Sequence, residues 1–230
     1  MSGSTRAAPQ RVAGSAVRIV ALALAFAVAA CGGPTGEPVS FDPSTACLTQ
    51  SDEGHFAGAY PDLEATLPTR YDDRAADSVD SGRSCTPETL GVLAEKGITR
   101  MRYAGANWDL GNGVALTVAV FEANGLDPTG LIQFYQAGAQ AAQRTNQLKV
   151  TDTTVGGLPA RRLDVLFGTS TQTFVAWPAS SGVNRVSVLL ASDLGDTKVA
   201  ELLQKLAASS TRSPGPAPGR VASPSPAISQ

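Results

Sequence analysis

Apolar residues recur along the middle of the chain with two different periods, and these divide it into elements. From Ile98 to Trp108 and from Val114 to Glu122, apolar and small residues alternate with polar ones, the period of a half-buried strand. Asp109-Leu110-Gly111-Asn112-Gly113 joins the two runs, and its Asn-Gly pair favours a tight hairpin. In the second run Val114, Leu116, Val118 and Val120 share one face. Ala115, Thr117 and Ala119 share the other, which is expected to carry a close-packed layer or only partial cover. Leu148–Val155 and Leu158–Phe167 read as a second hairpin around Gly156-Gly157. Thr171–Trp177 and Val183–Ala191 read as a third, through Pro178 to Gly182.

The helical period appears three times. Thr86-Pro87 places an N-cap before a proline at the first helical position, and Gly97 closes that helix, with Leu90, Leu93 and Ala94 facing the core. Asp127-Pro128 opens the longest helix, to about Arg144, in which Leu131, Phe134, Tyr135, Gly138 and Ala142 make one buried stripe. Thr197 to Ala208 repeats Val199, Leu202, Leu203 and Leu206 at helical spacing. Hairpin-linked strands separated by helices predict an α+β fold. The expected form is a mostly antiparallel sheet of about six to seven strands, with three amphipathic helices packed on one face. Two stretches of strands, each closed by a helix, suggest a duplicated unit.

Composition changes at both ends of this region. Residues 31–46 are rich in Gly, Pro, Ser and Thr and read as a flexible tether. Residues 209–230 hold five prolines among Ser, Ala and Gly and are expected to be a disordered tail. One domain, 47–208, is left between them, of ordinary single-domain size.

The first thirty residues have a different character. Arg6, Arg11 and Arg18 precede the apolar run Ile19 to Ala30, the form of a secretory leader and too short for a spanning helix. Val28-Ala29-Ala30-Cys31 at its end resembles the lipobox of bacterial prolipoproteins. That resemblance implies diacylglyceryl transfer to the Cys31 thiol, cleavage before Cys31, and a domain lipid-anchored to the cell membrane and facing outside the cytoplasm. More than one acyl chain anchors stably. The competing reading is an ordinary leader with Cys31 an incidental thiol. The layout of the domain is also similar, in element order alone, to the PsbP-like α/β sandwich and to uncharacterised extracytoplasmic lipoproteins, which carries no functional residue across.

Three cysteines are an odd number for an exported chain. With Cys31 assigned to lipid, Cys47 and Cys85 remain as a pair in an oxidising compartment. Their bridge would close a loop worth on the order of 4 kcal/mol in the chain-entropy picture; the alternative is two unpaired thiols. Removing three leader arginines from 18 basic residues, against 20 acidic ones, gives a mature net charge of −5. That charge leaves no electrostatic footprint for nucleic acid.

Candidate chemistry is sparse. His55, the single histidine, lies in a polar stretch and reads as surface. Asp72, Asp73, Asp77 and Asp80 do not match a calcium loop and read as a solvated acidic edge. Lys96 sits at a helix C-terminus, and Lys198 and Lys205 fall on the exposed side of the last helix. Trp108 and Trp177 at strand ends, with Tyr103 and Phe174 on neighbouring strands, are candidates for a ligand surface or for core and rim packing. No metal site and no cofactor are expected. The function expected is a non-enzymatic ligand-binding or envelope-accessory module, its partner an envelope protein or a small molecule. An envelope hydrolase using carboxylates or a Ser-Lys pair is the alternative.

Overall fold

The computed structural model describes residues 41–142, 144–180 and 182–210. The expected leader with Val28 to Cys31, most of the tether, and the tail beyond Ser210 lie outside the described residues. Among those described, no helix is long and apolar enough to cross a membrane.

The described residues form one antiparallel sheet of eight strands with five α-helices and a small two-stranded hairpin. In chain order the strands are β1 (Gly54–Phe56), β2 (Arg70–Tyr71), β3 (Arg74–Ala75), β4 (Ser78–Ser84), β5 (Met101–Gly111), β6 (Val114–Glu122), β7 (Thr145–Val155), β8 (Leu158–Phe167), β9 (Ser170–Pro178) and β10 (Arg185–Ser192). The helices are α1 (Pro61–Glu64), α2 (Pro87–Leu90), α3 (Val92–Glu95), α4 (Pro128–Ala141) and α5 (Asp196–Ser210). The large sheet runs β1-β4-β5-β6-β10-β9-β8-β7, and β2 pairs only with β3. The α+β class and the antiparallel sheet are as expected, whereas the strand and helix counts are higher than expected.

The hairpins are where turn chemistry puts them. Gly156 and Gly157, at φ 58° and 81°, make the two-residue turn between β7 and β8. A Cβ at Gly156 would also lie 2.9 Å from the Cβ of Ala207, so the bare backbone lets the end of α5 settle against this turn. The expected first helix is broken in two. Thr86 caps α2 by accepting from Thr89 N, but Gly91 at φ 50° and ψ −129° leaves the helical region before α3 begins.

Helices cover both faces of the sheet, not one. On the first face α1, the β2–β3 hairpin and α5 pack against Ala104, Ala106, Trp108, Leu116, Val118, Val175 and Leu189. On the second, α2, α3 and α4 pack against Met101, Phe121, Leu163, Val165, Phe174, Val186 and Val188. The strands from β5 to β10 carry apolar side chains on both sides, which demands two layers of cover. The helices that close the two strand sets, α4 and α5, therefore lie on opposite faces. In α4 the fully buried positions are Gly130, Leu131, Ile132 and Ala139, so the stripe is rotated from the expected one and Phe134 and Tyr135 are only half-buried.

The N-terminal boundary also moves. Phe41, assigned to the tether, is 4% exposed and packs on Phe56 and Tyr60 with ring centroids 5.3 and 6.3 Å away. Cys47 and Cys85 are bridged, their Cα atoms 5.4 Å apart, which joins this segment to the end of β4.

Candidate functional site

The second face of the sheet is only partly roofed. The α4 helix lies over β7, β8 and β9 and against α3, and beyond it the strand ends carry Asn107, Thr117, Ala115, Leu190, Ser192 and Gln172, all half-buried. Pairing sets Asp80 of β4 opposite Gly105 of β5, and Gly105 opposite Ala119 of β6. This row makes a shallow trough with a floor of small residues. A Cβ built on Gly105 would meet only Thr117 Cγ2 at 3.8 Å and Ala119 Cβ at 3.9 Å, ordinary contacts, although Gly105 and Ala119 are themselves buried. On this face Ala119 lies in the packed layer, while Ala115 and Thr117 have only partial cover.

Aromatic rings border the trough on the helical side. Tyr103 stands 5.9 Å from Phe121, Phe121 is 6.2 Å edge-on to Tyr135 of α4, and Tyr135 is 4.5 Å from Phe174. Burial, together with the Asp80 charge, raises the Tyr103 hydroxyl, and burial raises that of Tyr135, so both stay protonated donors at any physiological pH. Asn107 donates to Ser78 Oγ at 3.2 Å and accepts from Thr117 Oγ1 at 2.7 Å on the open side.

The charged group is the His55–Asp80 pair. Gly82, two residues on from Asp80 in β4, pairs with His55 on one side and Tyr103 on the other. A Cβ at Gly82 would run into the Gly54 carbonyl and come within 2.8 Å of Tyr103 Oη, so only glycine lets the tyrosine ring cross β4 toward β1. His55 Nδ1 is 2.9 Å from Asp80 Oδ2, while Asp80 Oδ1 is buried with no hydrogen-bond partner. A carboxylate oxygen buried in this way is costly unless a donor reaches it.

Asp80 raises the His55 imidazole above its ordinary 6.5, through the hydrogen bond first and its charge second, and burial offsets part of this. Since the folded value is raised, the pair stabilises the fold fully below about pH 6.5. That contribution is lost as pH rises through the folded value. With a single histidine in the chain, one imidazole signal is expected in an NMR titration, its midpoint above 6.5. In Asp80→Asn, with only burial left, it should fall below that value. An unchanged midpoint in the variant would remove Asp80 as the cause.

The other residues singled out from sequence are dispersed. Trp108 and Trp177 lie on the first face, 1% and 5% exposed, and Phe174 lies on the second at 6%. The four aromatics therefore form no common surface. Trp108 donates to the Arg74 carbonyl at 3.3 Å and meets Tyr71 edge-on, a core role. Of the four, only Tyr103 and Phe174 belong to the row of rings beside the trough. The acidic edge is likewise divided. Asp72 and Asp73, at φ 43° and 62°, form the β2–β3 turn, and Asp72 receives Lys205 at 2.7 Å and Lys198 at 3.6 Å. Asp77 accepts from Arg74 at 2.8 Å and from the Asp109 amide at 2.7 Å.

Lys96 donates to Gln133 across to α4. Hydrogen bonds from Lys198 to Glu201, and from Lys205 to Asp72 and Glu201, hold both lysines above their ordinary range, the opposite of what a basic amine requires. Among the described residues no three His, Cys, Asp or Glu side chains converge as metal ligands. Compared with known proteins, the chain matches no family model, and no curated protein aligns with it significantly.

Proposed function

We propose that the chain is an extracytoplasmic lipoprotein, held to the cell membrane through Cys31, whose domain binds a small amphipathic molecule in the open trough of its sheet. The anchor rests on Val28-Ala29-Ala30-Cys31 behind a basic and apolar leader. A serine at position 31 should abolish incorporation of radiolabelled fatty acid and release the protein from the membrane fraction. Unchanged fractionation would exclude the anchor.

The observation that carries the binding role is the buried, partnerless Asp80 Oδ1 beside a floor of small residues that ends in the half-buried Asn107, Ala115 and Thr117. A ligand hydroxyl or ammonium that turns the Asp80 carboxyl outward would complete that oxygen, and the Tyr103 and Tyr135 rings would take the apolar side of the same molecule. His55 reports on the site, because any donor captured by Asp80 weakens its hold on the imidazole. Small polyols, sugars and primary amines titrated against the chain should therefore shift the His55 signal saturably. In Asp80→Ala the response should vanish. A panel that leaves the His55 signal unmoved, or moves it equally in Asp80→Ala, would reject the trough as the binding site.

A hydrolase is less well supported. Where a carboxyl group departs from its ordinary proton affinity, as in Asp72, Asp77 and Glu201, hydrogen bonds first of all hold it lower. A general acid needs the reverse.

A further inference from the structure

A second polar cleft, of about 530 Å³, opens on the opposite face of the sheet, where β5 and β10 begin and β6 ends. Pairing places Arg102 and Arg185 on either side of Glu122. The two guanidinium groups share that one carboxylate, Arg102 Nε donating at 3.1 Å and Arg185 Nε also donating to it. Burial would raise the Glu122 carboxyl, but the hydrogen bonds from both arginines outweigh it and keep it ionised below its ordinary range. Arg102 also lies 5.0 Å over the Tyr60 ring, which fixes its plane.

A second carboxylate, Asp62 of α1, approaches from the rim at 3.4 Å from Arg102 and 3.2 Å from Arg185, with half of its side chain exposed. Arg100 lines the same cleft, is exposed, and makes no ion pair among the described residues. Three arginines against Glu122 and Asp62 leave this group with one net positive charge in a chain whose net charge is −2. Val183, 88% exposed, stands at its mouth beside Asn184.

We infer that this cleft binds a phosphate group, which displaces Asp62 and is held by Arg100, Arg102 and Arg185. Guanidinium forks match phosphate oxygens in pairs. A tetrahedral anion of more than one charge suits donors from several directions better than a carboxylate, which one fork already satisfies. Asp62 occupies the anion's place from outside, with longer contacts than Glu122 makes. Val183 gives an attached apolar or glycerol body a surface to lie on. The site is separate from the trough, and its binding does not depend on the Cys31 anchor.

Calorimetric titration of the full-length chain with sodium phosphate, against sodium chloride at matched ionic strength, tests this. Saturable binding to phosphate alone is expected. Arg100→Gln, which removes no contact of the fold, should weaken it about tenfold or more, as loss of a charged hydrogen bond does. Asp62→Asn should tighten it, because the competing carboxylate is gone. Tighter binding of glycerol 3-phosphate than of inorganic phosphate would assign the phosphate to a lipid head group, and equal binding to the free anion. A response that follows ionic strength alone, an Arg100→Gln chain that binds like the parent, or an Asp62→Asn chain that binds no better would overturn the inference.

Discussion

Arg83→Leu is expected to destabilise the domain by about 3–5 kcal/mol, although the substitution replaces a charge with an apolar side chain in a buried position. Arg83 is 1% exposed and points from β4 into the first face. Its Nε donates to the Asp52 carbonyl at 2.6 Å and its Nη1 to the Thr45 carbonyl at 2.9 Å, and its guanidinium lies 4.7 Å over the Phe41 ring. The charge is thus compensated by backbone dipoles and a ring face, all from the segment between Phe41 and Asp52. Leucine would leave the Asp52 and Thr45 carbonyls without this donor and the ring without its cation. Urea unfolding should show a lower midpoint with the slope unchanged. Arg83→Lys should recover only part of the loss, because a compact ammonium does not span both carbonyls. A leucine variant within 1 kcal/mol of the parent would mean that hydration or repacking replaces these bonds, contrary to the burial seen.

Loss of the Cys47–Cys85 bridge is the second large effect. It closes a sequence separation of 38 residues, and opening such a loop is worth about 4 kcal/mol in the chain-entropy picture. The Cys47→Ser/Cys85→Ser chain should unfold at correspondingly lower urea, as should the parent under reducing conditions. The two effects are coupled, because Arg83 and the bridge hold the same segment. Once the bridge is gone, the segment detaches more readily, and Arg83→Leu should cost less than it does in the parent. Strict additivity in the double-mutant cycle would show that the two act on separate units.

How much of this was legible in the sequence depended on where the polar residues fell. The β5–β6 and β7–β8 hairpins were readable because alternation and glycine-rich turns coincide, and the observed Val114–Glu122 and Leu158–Phe167 match the expected bounds. β4 was obscured because two of its inward positions, Ser81 and Arg83, are polar and fully buried. Ser81 accepts from the Tyr60 amide at 2.6 Å and donates to Glu64 at 2.8 Å. Tertiary hydrogen bonds satisfy these side chains, and no local pattern announces that. His55 and Asp80 were missed for the same reason, being brought together by strands that a hydrophobic period does not mark.

Other signals were present and not used. Phe174 and Trp177 are an odd number of residues apart on one strand, so they face opposite sides, and a shared aromatic surface was excluded by parity. Val186 and Val188 alternate with Leu189 and Ala191, an apolar run on both sides that already called for cover on both faces.

The covalent link at Cys47 also decides how this domain carries mechanical load. A pull applied at the N-terminus enters at Phe41, and the bridge passes it directly to Cys85 at the foot of α2. The 37 residues enclosed by the bridge, with β1, α1 and the His55–Asp80 pair among them, are bypassed by that tension. A domain pulled from its N-terminal side would therefore keep this part of its sheet at rest.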